Sequence, residues 1–576
     1  MNALGFMAIG GLALAPLGCA ELRGVIERWM PGLWVARGDG RLWPVERVVR
    51  AGAHPGTLAR WRVRVLLLIA WMCAVLLVGA AAAESGARAA GAARGSARAR
   101  IVWRGCGERL QCARVRVPLD WARPDGPKIT LAVIRYLASG ADRRIGSLFV
   151  NFGGPGSSGV AGVRTVGATL DALGQGRFDV VSWDPRGAGA STHVRCFADA
   201  RSQARFWERG WSLPTTKLAA QRWVAKTVVF AKHCAALSGA LLAHVSTADT
   251  ARDLDYLRRL VGDRQLTYLG ISYGTLLGQT YANLFPDRVR AMVLDGVVDP
   301  VAGTSGTEAA LADGIADTDL VFAKFQALCQ RAGPARCALA GGGPVARRVS
   351  RLVARLRRGP IPAPSAAPPR QLSYGDLLLA LFGMLPTPAQ WPQLADGLAQ
   401  AASGDGSALE TGLQQAKPSV ESGLVAAVAL QCADEPPPRQ GPHAWPTVID
   451  RLTRISKIDG PVDGWLFWAP CASWSVASAH RYTGPWNAST PNPILISDTR
   501  FDPNTPFADA RRAARRLPNA VLLTQDGYGH TIINDPSQCV DQAASTYLVH
   551  LTPPPRGTIC RSDRTPFDPN FGNPLP

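Results

Sequence analysis

The sequence predicts an α/β protein: a mostly parallel central sheet with helices on both faces, interrupted by a large, mainly helical insertion. Three observations carry that prediction. Short apolar runs without alternation, such as Leu148-Phe149-Val150 and Val180-Val181-Ser182, read as strands buried on both faces. Such runs alternate with helical spacing, as in Leu254, Leu257, Leu260 and Val261 ahead of the run at 266–269. From about 302 to 480 the alternation stops and Ala- and Leu-rich helical stretches dominate, a length no loop would have. With 576 residues, 47% hydrophobic and 18% charged, the chain has the composition of a globular protein.

In chain order, residues 1–59 are an N-terminal extension set apart from the fold, either an unusually long lead or a start assigned too early. Residues 60–83 read as an export signal. Arg60, Arg62 and Arg64 supply the basic start, 65–78 the apolar stretch, and Ala81-Ala82-Ala83 the small-residue cleavage site before Glu84. Left uncleaved, this segment is the one membrane contact expected. No Arg-Arg pair precedes it, which favours the general secretory route and a periplasmic, envelope or extracellular location. Residues 84–100 are a low-complexity Ala/Gly/Arg linker.

The first part of the core covers 101–301. Strands are predicted at 114–118 and 129–136, joined through the turn Arg123-Pro124-Asp125-Gly126, then at 147–151, 178–183, 266–269 and 292–294. The insertion follows at 302–480. The rest of the core, 481–562, resumes with strands at 493–497 and 521–524, and 563–576 form a Pro-rich tail.

Setting aside Cys19 and Cys73, the twelve cysteines leave an even set that suits disulfides in an exported chain, and pairing neighbours in order closes five local loops. None has Cys-x-x-Cys spacing, so no metal or cofactor is expected. The net charge of +20 is mostly arginine spread along the chain. It forms no basic run interleaved with aromatics, so it reads as a solvated basic surface and not as a nucleic-acid interface.

The chemistry is carried by Gly270-Ile271-Ser272-Tyr273-Gly274, where an apolar strand runs through a sharp turn into a helix. That arrangement exposes a serine hydroxyl on a strained turn, and the glycines are needed because strand and helix pass too close for a Cβ. A serine is a poor nucleophile until a base takes its proton and an acid orients the base. Of eight histidines, His54 precedes the cleavage site, and His193, His233 and His244 precede the serine. His443 and His480 fall in the insertion and His550 in a helix near the tail, which leaves His530 in Asp526-Gly527-Tyr528-Gly529-His530. The acid should follow the preceding strand, where Asp502 and Asp498 both qualify. Two backbone N–H groups should face the developing oxyanion. One belongs to Tyr273, the other to Gly153 or Gly154 in the glycine-rich loop 151–159.

Together these residues resemble the α/β-hydrolase serine peptidases related to proline iminopeptidase, most closely the exported tripeptidyl aminopeptidase branch. The resemblance rests on Gly153-Gly154-Pro155-Gly156, Trp183-Asp184-Pro185-Arg186-Gly187-Ala188-Gly189 and Gly270-Ile271-Ser272-Tyr273-Gly274-Thr275. Phe285-Pro286-Asp287-Arg288-Val289, Asp502-Pro503-Asn504-Thr505-Pro506 and Gly529-His530 add to it, over roughly 101–562. It implies an α/β-hydrolase fold in which the insertion is a cap, with Ser272 as nucleophile, His530 as base and Asp502, over Asp498, as acid. It also implies peptide substrates with a free N-terminus, whose ammonium needs a carboxylate. Asp434 and Glu435, in Gln431-Cys432-Ala433-Asp434-Glu435, are the candidates. The alternative is an exported carboxylesterase or lipase-like hydrolase using the same triad.

Overall fold

The computed structural model describes residues 34–36, 42–44, 100–208, 213–436 and 441–571, with side chains omitted at 34–36, 42–44 and 418–422. The export signal and nearly all of the linker lie outside the described residues, as does most of the N-terminal extension. Within that extension Trp34–Ala36 pairs antiparallel with Leu42–Pro44. The remaining described residues belong to the unit Ala99–Pro576.

That unit is built on a ten-stranded sheet. In chain order its strands are β1 (Arg104–Gly107), β2 (Leu110–Pro118), β3 (Lys128–Tyr136), β4 (Gly146–Asn151), β5 (Phe178–Trp183), β6 (Leu266–Ile271), β7 (Val289–Asp295), β8 (Ile494–Phe501), β9 (Val521–Tyr528) and β10 (Ile559–Arg561). Their spatial order is β10-β9-β8-β7-β6-β4-β5-β3-β2-β1. From β10 to β5 every neighbouring pair is parallel; β3, β2 and β1 form an antiparallel edge beside β5. The predicted hairpin through 123–126 is the β2–β3 connection. Both edge strands, β1 and β10, lack an apolar run, and the sequence reading passed over them.

The period-two geometry of the strands divides the core in two. Phe149, Tyr268, Leu294 and Ile496 face one cluster, while Leu148, Val150, Leu269, Val293 and Leu495 face the other. On the second face lie α1 (Gly159–Leu173), through Val163 and Leu170, and the helix Gln538–His550, through Tyr547 and Leu548. On the first lies α2 (Lys217–Leu242), with Trp223, Phe230 and Cys234 buried, followed by α3 (Thr247–Leu260). By length and composition alone α2 could cross a membrane, the one such helix among the described residues. Its buried face and its disulfide to Cys196 are those of a core helix.

Between β7 and β8 the chain is mainly helical. Thr318–Ala332, Val345–Arg358, Tyr374–Met384 and Trp391–Ser403 precede α4 (Ser407–Asp434), and Trp445–Ile455 follows it. Phe325, Trp391 and Val428 join the same cluster as the first sheet face, so these helices share a core with the sheet. Within it Ile361–Ala363 pairs antiparallel with Arg370–Leu372, a short ladder that the sequence reading passed over. Each of those strands is three residues long, too short for alternation to register.

The five disulfides among the described residues each join cysteines that are neighbours in sequence, Cys106–Cys112, Cys196–Cys234, Cys329–Cys337, Cys432–Cys471 and Cys539–Cys560. Pairing in order was the expectation, and such bonds belong to an oxidising compartment.

Strand order fixes where chemistry can happen. After β4 the chain crosses to β5 on one side and later returns to β6 on the other, so the loops leaving β4 and β6 diverge and leave a crevice. The loop after β4 is the glycine-rich 152–158, and the residue after β6 is Ser272.

Candidate active site

Ser272 adopts φ 57° and ψ −125°, a conformation strongly disfavoured for a residue with a Cβ. Crowding forces the turn. A Cβ on Gly270 would come within 2.4 Å of Gly274 O, and one on Gly274 within 2.6 Å of Asn151 O. The helix α5 (Tyr273–Leu284) therefore starts directly behind the serine. Two bonds pin the strained residue: Ser272 N–H donates to Asp295 O at 2.8 Å, and Thr275 N–H donates to Ser272 O at 2.8 Å.

Asp295, at the end of β7, links this turn to the histidine loop. Its carboxylate oxygens accept from Ile532 N–H at 3.1 and 3.2 Å. Gly296, next in the chain, has φ +65°, and a Cβ there would stand 3.1 Å from His530 Cε1. One short segment, Asp295-Gly296, thus touches the backbone of Ser272 on one side and the His530 imidazole on the other.

His530 Nδ1–H donates to Asp502, 2.8 Å from Oδ2 and 3.0 Å from Oδ1. The Asp502 carboxylate is fully buried just beyond β8 and is otherwise saturated. It accepts from the N–H groups of Asn504 (2.8 Å), Thr505 (2.9 Å) and Thr531 (3.2 Å) and from Thr505 Oγ1 (3.0 Å). Burial opposes charge on the His530 imidazole, but the fields and hydrogen bond of Asp502, with help from Asp295, outweigh it and raise its pKa. Asp498 lies inside β8, gives one oxygen to Val297 N–H at 2.9 Å, and makes no bond to His530. Burial and the neighbouring Asp502 push its pKa well up. Asp295 is pushed up to about 7, chiefly by burial.

The glycine-rich loop packs against the turn. Gly153, with φ +80°, could carry no Cβ, which would meet Ile271 O at 2.6 Å and Ser272 Cβ at 2.8 Å. The two glycines expected to supply an oxyanion donor differ. Gly153 N–H is already donated to Asn151 Oδ1 at 3.0 Å, whereas no acceptor among the described residues takes Gly154 N–H. Gly156 abuts α4, where a Cβ would stand 2.9 Å from Ala426 Cβ.

At its far end α4 brings Asp434 and Glu435 behind the serine turn. Asp434 accepts from Thr247 N–H at 2.9 Å and from Thr247 Oγ1 at 2.5 Å, and Thr247 Oγ1 lies 2.5 Å from Tyr273 Oη. Both Asp434 and Glu435 are buried, but only Asp434 is fully partnered; Glu435 Oε2 has no hydrogen-bond partner. Burial raises Asp434 to about 7 and Glu435 well above its usual range, the latter also through Asp434 and Asp463. Asp463, in the short helix Asp459–Asp463, is itself pushed up to about 7 by burial. Sequence reading missed Asp463 and Asp295, because nothing in their local pattern marks an aspartate that folding brings beside Glu435 or against the loop after β9.

Arg186 is fully buried, away from Ser272. It donates to both oxygens of Asp253 at 2.7 and 2.6 Å and to the carbonyls of Pro118, Leu119 and His244. These bonds make Arg186 a structural residue of the turn after β5.

Residues 463–560 match the family described as TAP-like protein, and residues 147–313 match the family described as alpha/beta hydrolase fold. The serine protease Hip1 of Mycobacterium tuberculosis is 34% identical over 470 residues, covering 78% of this chain and 87% of that protein. The tripeptidyl aminopeptidase of Streptomyces lividans is 32% identical over 508 residues, covering 83% and 90%. Carboxylesterase B of Mycobacterium tuberculosis is 33% identical over 472 residues, covering 78% and 86%.

Proposed function

The chain belongs to the TAP-like family of α/β-hydrolase serine peptidases, and on that premise we propose that it is an exported aminopeptidase working through an acyl-enzyme on Ser272. His530 Nε2 takes the proton of Ser272 Oγ as that oxygen attacks the peptide carbonyl carbon. Asp502 holds the opposite ring nitrogen in its N–H form and stabilises the imidazolium that results. The oxyanion takes the N–H groups of Tyr273 and Gly154. The tetrahedral intermediate collapses, the C–N bond breaks, and His530 returns the proton to the leaving amine. Water, deprotonated by the same imidazole, then frees the acyl group.

One observation supports an aminopeptidase over an esterase: the buried, unpartnered carboxylate oxygen of Glu435, with Asp434 and Asp463 beside it. Three acids near one point resist ionisation until a cation arrives, and the free N-terminal ammonium of a peptide is such a cation. Glu435 and Asp463 take the amine, while Asp434 is spent on Thr247 and orients Tyr273. The helical segment 302–480 acts as the cap whose α4 closes the acyl side of the cleft. An ester substrate would use the same Ser272 chemistry without the amine subsite.

The test compares free peptides, their N-acetylated forms and aryl esters on one preparation. Free peptides should be cleaved, N-acetylation should lower kcat/KM by about 100-fold or more, and Glu435→Gln should raise KM for free peptides but not for esters. Hydrolysis of esters without cleavage of any free-amine peptide would leave the esterase reading standing.

A further inference from the structure

Away from the serine, three segments distant in sequence converge on one point. Asp120 comes from the turn after β2, His244 from the residues leading into α3, and His480 from the irregular stretch before β8. One donor atom from each lies within 4.8 Å of the others. His480 Nε2 stands 2.9 Å from Asp120 Oδ1, and the two imidazoles lie 5.7 Å apart. His244 is 8% exposed, and its buried Nδ1 has no hydrogen-bond partner.

The backbone around the three is fixed in advance. Arg186 donates to Leu119 O and to His244 O, each at 2.9 Å, and so holds the main chain beside two of the side chains. Ala479 N–H donates to Ala243 O at 2.8 Å, and Ser246 Oγ–H to His480 O at 3.3 Å, which holds the third. Two guanidinium groups come near, and neither bars a cation. Arg186 is neutralised by its two bonds to Asp253, and Arg123, which donates to Asp120 Oδ2 at 2.8 Å, is 78% exposed and can swing into solvent.

We propose that Asp120, His244 and His480 bind a zinc ion that ties the segment leading into β8 to the antiparallel edge of the sheet. Two imidazoles and one carboxylate are the donor set of four-coordinate zinc, with water in the fourth position. Zinc–nitrogen bonds of about 2.0–2.1 Å need donors roughly 3.3 Å apart. The widest spacing must therefore close by about 1.5 Å, within reach of a rotation of His480, the most exposed of the three. On binding, zinc replaces the His480–Asp120 hydrogen bond, and the proton of His480 moves from Nε2 to Nδ1.

Purified protein stripped with EDTA and returned to chelator-free buffer tests this by calorimetric titration with Zn²⁺, with Co²⁺ as a spectroscopic substitute. We expect one Zn²⁺ per chain, a higher Tm when it is bound, and the intense visible bands of four-coordinate Co²⁺. His244→Ala and His480→Ala should each weaken binding by about tenfold or more, whereas His443→Ala, an exposed histidine elsewhere, should not. Absence of stoichiometric Zn²⁺ binding by the unaltered protein overturns the proposal. So does binding that survives both histidine substitutions, which would assign the metal to another site such as His530. The titration of the unaltered chain decides the matter even if a variant misfolds.

Discussion

The pair formed by His530 and Asp502 was legible in the sequence because chain order and a glycine-rich loop left one histidine, and the motif around Asp502 favoured one acid. Asp295 was not legible: an aspartate ending an apolar strand says nothing of its partners until β7 and the loop after β9 are folded together. It now carries a prediction. Its carboxylate helps hold His530 above its ordinary pKa, so Asp295→Asn should lower that pKa while keeping an acceptor for Ile532 N–H. Since the base must be neutral to work, the acid limb of the kcat/KM profile should move to lower pH, with plateau activity reduced by about tenfold or less. An unmoved acid limb would show that Asp295 acts only by fixing the backbone. The inequality between Gly153 and Gly154 was likewise hidden, because it depends on where the Asn151 side chain turns.

Among elements, the glycine-rich loop and α4 decide how the cleft is shaped. Gly153→Ala would drive a methyl into Ile271 O and Ser272 Cβ and push the loop off the turn. An oxyanion donor is worth about 10²–10³ in kcat, so we expect a loss of that size with near-normal substrate KM, read by steady-state kinetics. The Cys432–Cys471 disulfide anchors the end of α4 that bears Asp434 and Glu435. It closes a loop of 39 residues, worth about 4 kcal/mol on a chain-entropy account. Replacing both cysteines with serine should lower Tm and raise KM for free-amine peptides, while kcat/KM for a small ester changes little. Equal losses on both substrates would mean that α4 supports the catalytic turn and not the amine subsite. Strands buried on both faces were easy to read. The edge strands β1 and β10 and the short pair in the insertion were not, since three or four residues carry no periodicity and their pairing is decided by neighbours remote in the chain.

For the molecule as a whole, buried acids set the pH response. Asp295, Asp434, Asp463 and Asp509 are each pushed up to about 7, and Asp535 to about 6, in every case chiefly by burial. A carboxyl whose folded pKa is raised holds a proton that the unfolded chain has released. The stability from that difference is present at low pH and is lost as pH rises toward the folded value. His530, also raised, acts in the same direction. The net charge of +20 works the other way, but with eight histidines it grows only modestly over this range. Thermal unfolding should therefore show a higher Tm near pH 5 than near pH 8; a flat or rising profile would show that these acids ionise freely in the folded protein. The sheet was legible in the sequence, since each central strand had its apolar run. The junction of Asp120, His244 and His480 was not, as its members lie in three separate stretches of chain.

The insertion leaves the sheet at β7 and returns at β8, two strands that lie side by side. Its departure and its return share one doorway, and the register of the remaining strands is set without it. Descent could then rewrite the outer helices of that segment, lengthening, trimming or exchanging them, while α4 and the residues that touch the Ser272 and His530 loops are kept. Relatives that bear protease, aminopeptidase and esterase names on one scaffold are the diversity such an architecture would let a lineage accumulate.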